Sequence, residues 1–169
     1  RLIGYQPTEK SVTVSAGAFA QSFEVGDATT SAPVSIASDA PAPGPSGRVT
    51  ASTTAGDHPQ IGSSTIDATK SANRFWTLSN SGLGFASCQA TFNFANPGDL
   101  DGGANPAAFG VERYAGGSWF ATGAGAATST STTATGLTAF GDFQAGESSG
   151  IHWTIIATAG AQGAIAPAG

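Results

Sequence analysis

Ser87-Cys88-Gln89-Ala90-Thr91-Phe92-Asn93-Phe94 alternates small or aromatic apolar residues with polar ones for eight positions. Neighbouring side chains on an extended chain point to opposite faces, so Cys88, Ala90, Phe92 and Phe94 share one face and Gln89, Thr91 and Asn93 the other. That is the signature of a half-buried strand, and the rest of the chain repeats it. Arg74-Phe75-Trp76-Thr77-Leu78 reads as a strand, with Trp76 and Leu78 on the core side. Val49, Ala51 and Thr53 alternate within Arg48–Thr54, and shorter strands are expected at Ser11–Val14, Phe19–Val25 and Ala32–Ile36.

Turn residues punctuate these stretches. Asp39–Gly47 holds three prolines and reads as a loop. Phe109–Tyr114 and Ser118–Thr122 form a hairpin across Ala115-Gly116-Gly117. Leu83–Phe94 and Gly136–Ala145 each read as one strand. Ile61–Lys70 reads as loop with Ile61 and Ile66 tucked inward. Gly123–Thr135, rich in Ala, Gly, Ser and Thr, is either a hairpin of small side chains or a surface loop. No stretch carries three turns of helical apolar spacing with a capping box. The expected fold is all-β: an antiparallel β-sandwich, Ig-like or jelly-roll-like, of about eight to eleven strands without substantial helix. Residues 1–147 form the sandwich, with 1–22 as an N-terminal extension or donor strand. Residues 148–169 form a linker and a C-terminal strand in which Ile151, Trp153 and Ile155 share a face.

Composition narrows the function classes. A chain of 169 residues can bury a full core without disulfide or metal. Only 10% of residues are charged and the net charge is −5. The six basic residues are dispersed and make no stripe for phosphates, which argues against nucleic acid. No window approaches the length needed to insert in a bilayer as a helix. The lone Cys88 reads as a small buried hydrophobe. The chain opens on Arg1 and has no Met, so it is expected to be a processed or partial product, with a cleaved secretory leader as the simplest account.

Few residues suggest chemistry. His58 and His152 lie in no metal-spaced pair, and Asp57 and His58, being adjacent, point apart if extended. His58 reads as a loop residue fixing the turn before Pro59, and His152 as an exposed strand residue. There is no nucleophile elbow and no phosphate-binding loop. The sequence therefore reads as non-enzymatic, with no required cofactor. Asp99, Asp101 and Asn105 in Gly98-Asp-Leu-Asp-Gly-Gly-Ala-Asn105 could wrap Ca²⁺, against the plainer reading of a polar loop. Trp119 and Phe120 must face oppositely, which leaves Trp119 as a candidate sugar platform and a glycan as a candidate partner. Thr128–Thr135 is a candidate O-glycosylation stretch.

The runs Arg74-Phe-Trp-Thr-Leu-Ser-Asn-Ser-Gly82, Cys88–Phe94, Gly98–Asn105, Tyr114-Ala-Gly-Gly-Ser-Trp119 and Thr135–Glu147, together with Thr54–Pro59, resemble a β-sandwich module of large secreted bacterial surface proteins. Such modules occur in Ig-like and adhesin-type repeat contexts. The resemblance covers roughly residues 23–147 and brings no catalytic residues with it. Residues 155–169 are similar to the opening of an internalin-B-type repeat. What the resemblance implies is an extracellular structural module at a bacterial surface. A solitary alternating strand at a terminus can complete a neighbour's sheet, so Val12, Val14, Ile151, Trp153 and Ile155 are the candidate interface residues, and self-association into a filament or array is the expected partnership.

Overall fold

A computed structural model describes residues 9–15, 17–40 and 44–150. Among these residues eleven strands form two antiparallel sheets, packed face to face as a β-sandwich. In chain order they are β1 (Glu9–Val14), β2 (Ala20–Phe23), β3 (Val34–Ala40), β4 (Gly47–Ala55), β5 (Ile66–Ser81), β6 (Ser87–Asn93), β7 (Gly110–Ala115), β8 (Ser118–Ala121), β9 (Gly123–Ala127), β10 (Ser131–Leu137) and β11 (Asp142–Ser148). The six-stranded sheet runs β1-β4-β5-β11-β7-β8 and the five-stranded sheet β2-β3-β6-β10-β9. Among the described residues the only helical turns are two short 3₁₀ turns, Ile61–Ser63 and Pro106–Ala108.

The alternation does what its period requires. Cys88, Ala90 and Phe92 of β6 are buried against Trp76 and Leu78 of β5, Phe143 and Ala145 of β11, and Val49 and Ala51 of β4. The Phe92 ring bridges the sheets, 5.2 Å from Trp76 and 5.0 Å from Phe143 between centroids. The Trp76 indole, fully buried, satisfies its N–H by donating to the Ala32 carbonyl at 2.9 Å. That bond removes the cost of burying its one polar group.

Three expectations need correction. The stretch from Ile66 is strand and not loop: β5 is 16 residues long. Its register against β11 shifts twice, between the Gln144–Phe75 and Gly146–Ser71 pairs and again before Ser148–Ile66. Bulging breaks the two-residue period, so no alternation is visible there. Leu83–Phe94 is not one strand, because β6 begins only at Ser87; Leu83 is buried but sits in the preceding loop. Gly136–Ala145 is also not one strand. Leu137 closes β10 and β11 opens at Asp142, with Phe140 between them stacked on Phe85 at 5.2 Å.

Gly123–Thr135 resolves as the β9–β10 hairpin. The β7–β8 turn is Gly116-Gly117, both with positive φ, as a two-residue hairpin turn of the favoured twist demands. The expected strand at Ile151–Ile155, with Trp153 and His152, lies outside the described residues.

Candidate functional site

The outer face of the six-stranded sheet is not bare. Residues 56–65, between β4 and β5, cross it as a strap. Beneath the strap lie the outward-facing side chains of β5, β11 and β7, and its contacts are polar as well as aromatic. The backbone N–H of His58 donates to Gln144 Oε1 at 2.9 Å, and Gln144 Nε2 donates to the Ala72 carbonyl at 2.6 Å. Thr65 donates to the Glu112 carboxylate from both its backbone N–H and its hydroxyl. Trp119 Nε1 donates to the Gln60 carbonyl at 2.8 Å. Gln144 and Glu112 are both buried, and each answers a group that the strap takes out of water.

His58 is the centre of this cover. Its ring is buried among Tyr114 (4.6 Å between centroids), Trp119 (5.0 Å) and Phe75 (5.1 Å). Nδ1 accepts from the Gln60 N–H at 3.1 Å, which fixes the proton of the neutral ring on Nε2. Nε2 lies 3.2 Å from Asp142 Oδ2, and the other oxygen of Asp142 accepts from Thr77 Oγ1 at 2.6 Å. Neither ring nitrogen is left to take a proton from a nucleophile. The adjacent Asp57 is not its partner: that carboxylate accepts from Ser71 Oγ at 2.9 Å. Burial pushes the Asp57 pKa up, with a smaller push from the Asp101 charge, and the Ser71 hydrogen bond opposes both.

A second cluster ties the loops at one end of the sandwich. Arg74 continues the inward-facing row of β5, yet its guanidinium is only 1% exposed. Nε and Nη2 donate to the two oxygens of Asp99, each at 3.2 Å, Nη2 also reaches Asp27 Oδ2 at 2.8 Å, and Nη1 donates to Thr53 Oγ1 at 3.1 Å. Asp27 sits in the β2–β3 connection and Asp99 in the β6–β7 connection. The Arg74 bond, helped by the Thr29 and Thr30 amides, holds the Asp27 carboxyl well below the usual carboxylate range. No buried polar side-chain atom among the described residues lacks a partner.

These bonds place the calcium candidates apart in role. Asp99 is buried and spends both oxygens on Arg74, with the Ala95 N–H adding a further donor at 3.0 Å. Asp101 Oδ2 accepts from the Ser71 N–H at 2.8 Å and its hydroxyl at 3.2 Å. Asn105 caps the 3₁₀ turn, its Oδ1 accepting from Ala107 N–H. Among the described residues no group of three or more His, Cys, Asp or Glu side chains converges as a metal site.

Trp119, the sugar-platform candidate, is half-buried and tied to the strap, whereas its neighbour Phe120 stands exposed, at 46%, with the Arg113 guanidinium 4.6 Å above its ring. Val12 and Val14, candidate interface residues, lie in β1, paired in register with Val49 and Gly47 of the same chain, and Val14 is buried. Ile151, Trp153 and Ile155 lie outside the described residues. Cys88 is buried, and burial, with a smaller push from the Asp39 charge, raises its thiol pKa to about 12.

A cleft opens on the side where the chain passes from β8 to β9. It holds about 300 Å³, and Ile66, Phe109, Val111, Ala121 and Ala124 give it an apolar lining, with Glu112 and Thr65 at one end.

The strap was the part that residue reading missed. Its signal was Phe75: a central strand with Phe75 on one face and Trp76 on the other needs cover on both. Among the described residues no helix is long and apolar enough to cross a membrane. Comparison of the chain with protein-family models, with curated proteins and with solved structures finds no match.

Proposed function

We propose that this chain is a non-catalytic, extracellular structural module of a bacterial surface protein, and that copies or neighbouring modules associate by adding strand to strand at its open sheet edges. The observation that carries the association is β9. Gly123-Ala-Gly-Ala-Ala127 hydrogen-bonds β10 on one side, and among the described residues no strand pairs its other side. It carries no charge and no proline, the usual devices that keep an edge from pairing. The same sheet ends on its other side in β2, Ala20-Gln-Ser-Phe23, also uncharged. Pairing β9 of one copy with β2 of the next is head-to-tail and propagates into a filament or array. The structural, non-catalytic reading is supported by the roles of the acid–base groups. Arg74, Asp99, Asp27, His58, Asp142 and Glu112 each hold one loop to another element. The secreted setting rests on the resemblance to bacterial surface modules and on the Thr-, Ser- and Gly-rich acidic composition.

The test is electron microscopy and sedimentation of the purified chain over a range of concentrations. Fibres, sheets or higher oligomers that disappear on Ala126→Pro or Ala124→Lys support edge pairing. Monomers at every concentration overturn it.

A carbohydrate-binding module is the second reading, favoured by the exposed Phe120 ring beside Arg113 and by the Tyr114–Trp119 pair, 5.1 Å apart, on the same hairpin. Glycan-array binding abolished by Trp119→Ala or Phe120→Ala supports it, and an array blank for the unsubstituted chain removes it.

A further inference from the structure

The centre of the core is sealed. Trp76, Phe92, Phe143, Val34 and Val49 have no exposed surface. On the β8–β9 side Ile66, Phe109 and Val111, each 6–7% exposed, border the cleft of about 300 Å³. A groove lined by aliphatic and aromatic side chains of the core gains stability when an apolar side chain enters it.

The occupant is indicated by where the chain leaves the sandwich. Gly146 and Ser148, at the end of β11, line this same cleft. Ser149 is tied to its rim, donating from its backbone N–H (2.8 Å) and its hydroxyl (3.0 Å) to the carbonyl of Thr65, another lining residue. Gly150 has φ +79°, a conformation that turns the chain and that side chains resist. The very next residues are Ile151-His-Trp-Thr-Ile155, with three large apolar side chains on alternate positions. From Ser148 the chain reaches Ile151 within about 10 Å and, if extended, covers Ile151–Ile155 in about 17 Å. A linker of two residues makes the local concentration of this segment at the cleft far higher than that of any other chain. The N-terminal strand sets the precedent, because β1 is seated on β4 of its own chain.

We infer that the cleft bounded by Ile66, Phe109, Val111, Ala121 and Ala124 is the seat of this chain's own segment from Ile151, with Ile151 and Trp153 closing the open side of the core. The inference does not depend on association through the β9 and β2 edges. It assigns the segment from Ile151 to its own module.

The experiment uses the full chain with a photoreactive benzoylphenylalanine in place of Trp153. After irradiation at low micromolar concentration, the product is sized, digested and mapped by mass spectrometry. The expected result is a product of monomer size joined to peptides containing Val111, Ala121 or Ala124. Filling the cleft by Ala124→Trp should lower that cross-link at least tenfold while the β-sheet circular dichroism is kept. Ala121→Trp serves where the first variant fails to fold. A cross-link to another face of the same chain, no cross-link to protein, or one that survives both filled variants overturns the inference. A cross-link between two chains also overturns it and assigns the segment to a neighbour, which leaves the association reading standing. A self-cross-linked chain that stays monomeric in the microscope keeps this inference and removes that reading.

Discussion

Arg74 and Asp99 meet through two parallel hydrogen bonds, Nε to Oδ2 and Nη2 to Oδ1, both 3.2 Å, with both side chains buried. A forked pair of this kind matches the planar guanidinium to the planar carboxylate and holds two elements at a fixed angle. Here it fastens the loop after β6 to the middle of β5, and through Asp27 it fastens the loop after β2 as well. Arg74→Ala would leave the buried Asp99 carboxylate without its counter-charge. A loss of about 3–5 kcal/mol is expected in urea unfolding. Arg74→Lys should recover only part of it, because an ammonium cannot make the fork. A loss below about 1 kcal/mol for Arg74→Ala would mean that the loops are held by something else.

Asp27 gives this cluster a pH signature. Its carboxyl titrates well below the ordinary value of 3.8, chiefly because of Arg74. A depressed pKa contributes stability that is fully present above about pH 3.8 and is lost as the pH falls below it. The chain should therefore lose stability between about pH 4 and pH 2, and Asp27→Asn should flatten that limb while lowering stability at pH 7. Unfolding midpoints measured across that range check it, and parallel curves for the two proteins would refute it.

Asp57 predicts the opposite sign. Its pKa is raised, first by burial and then by Asp101, so the folded state holds its proton more tightly than the unfolded chain. Its ionisation therefore costs stability as the pH rises above about 3.8. Asp57→Asn removes that cost and keeps an oxygen to accept from Ser71. The variant should be more stable than the parent at pH 7, with the gain vanishing below about pH 4. Thermal melts at the two pH values decide, and a variant destabilised at pH 7 would contradict the assignment.

The strap offers a direct test of its cover role. His58→Ala deletes a ring packed on Phe75, Tyr114 and Trp119 and leaves Asp142 and the Gln60 N–H without their partner. A loss of about 2–3 kcal/mol is expected, with amide exchange accelerated at Ile61–Ser64 before the sheets respond. Trp119→Phe, which removes the indole N–H to Gln60 and part of the ring packed on His58 and Tyr114, should cost about 1–2 kcal/mol. Hydrogen exchange that rises uniformly over the chain would show that the strap is not an independent cover.

How much of this was legible in the residues follows from what alternation can carry. The β6 run from Cys88 to Phe92 and the β5 row of Trp76 and Leu78 declare their buried faces, because each strand meets the opposite sheet with a strict period of two. Ile66–Ala72 did not declare itself, since a strand that shifts register against its neighbour loses that period. The strap was hidden for another reason. Nothing beside Gln144 or Glu112 in the sequence marks either as buried, and only a loop folded back over the sheet turns them into buried partners. Asp99 and Asp101, which resemble cation ligands by spacing, go instead to Arg74 and Ser71, residues 25 and 30 positions away. Long-range pairing of that kind leaves no mark in local spacing.

Gly47 opens β4 against the turn that follows β5. A Cβ there would lie 1.9 Å from the Leu83 backbone nitrogen and 2.4 Å from the Gly82 carbonyl carbon. Both atoms belong to backbone, so no side chain can swing aside. Gly47→Ala should separate β4 from that turn and cost more than about 2 kcal/mol. The same change at Gly62, where nothing lies within 4 Å, should be nearly neutral. Chemical denaturation of the two variants side by side makes the comparison, and equal midpoints would count against the close approach.

Cys88 supplies a probe of the core itself. It faces Leu137 across the β6–β10 pairing and has no exposed surface. Burial is the main reason that its thiol is pushed up to about 12, with Asp39 adding repulsion. Thiolate is the reactive form, and at pH 8 almost none exists in the folded state. A thiol reagent should therefore label the native chain only through opening of the sandwich. The labelling rate should follow the unfolding free energy as denaturant is added, and it should rise in Arg74→Ala and Gly47→Ala by the factor that their stability loss predicts. Ala90→Ser, next along the same buried face, should raise it too by placing an unpartnered hydroxyl in the core. Rapid labelling of the native chain at pH 8, independent of denaturant and of these variants, would show that the β6 face is reached by local motion and not by opening of the two sheets.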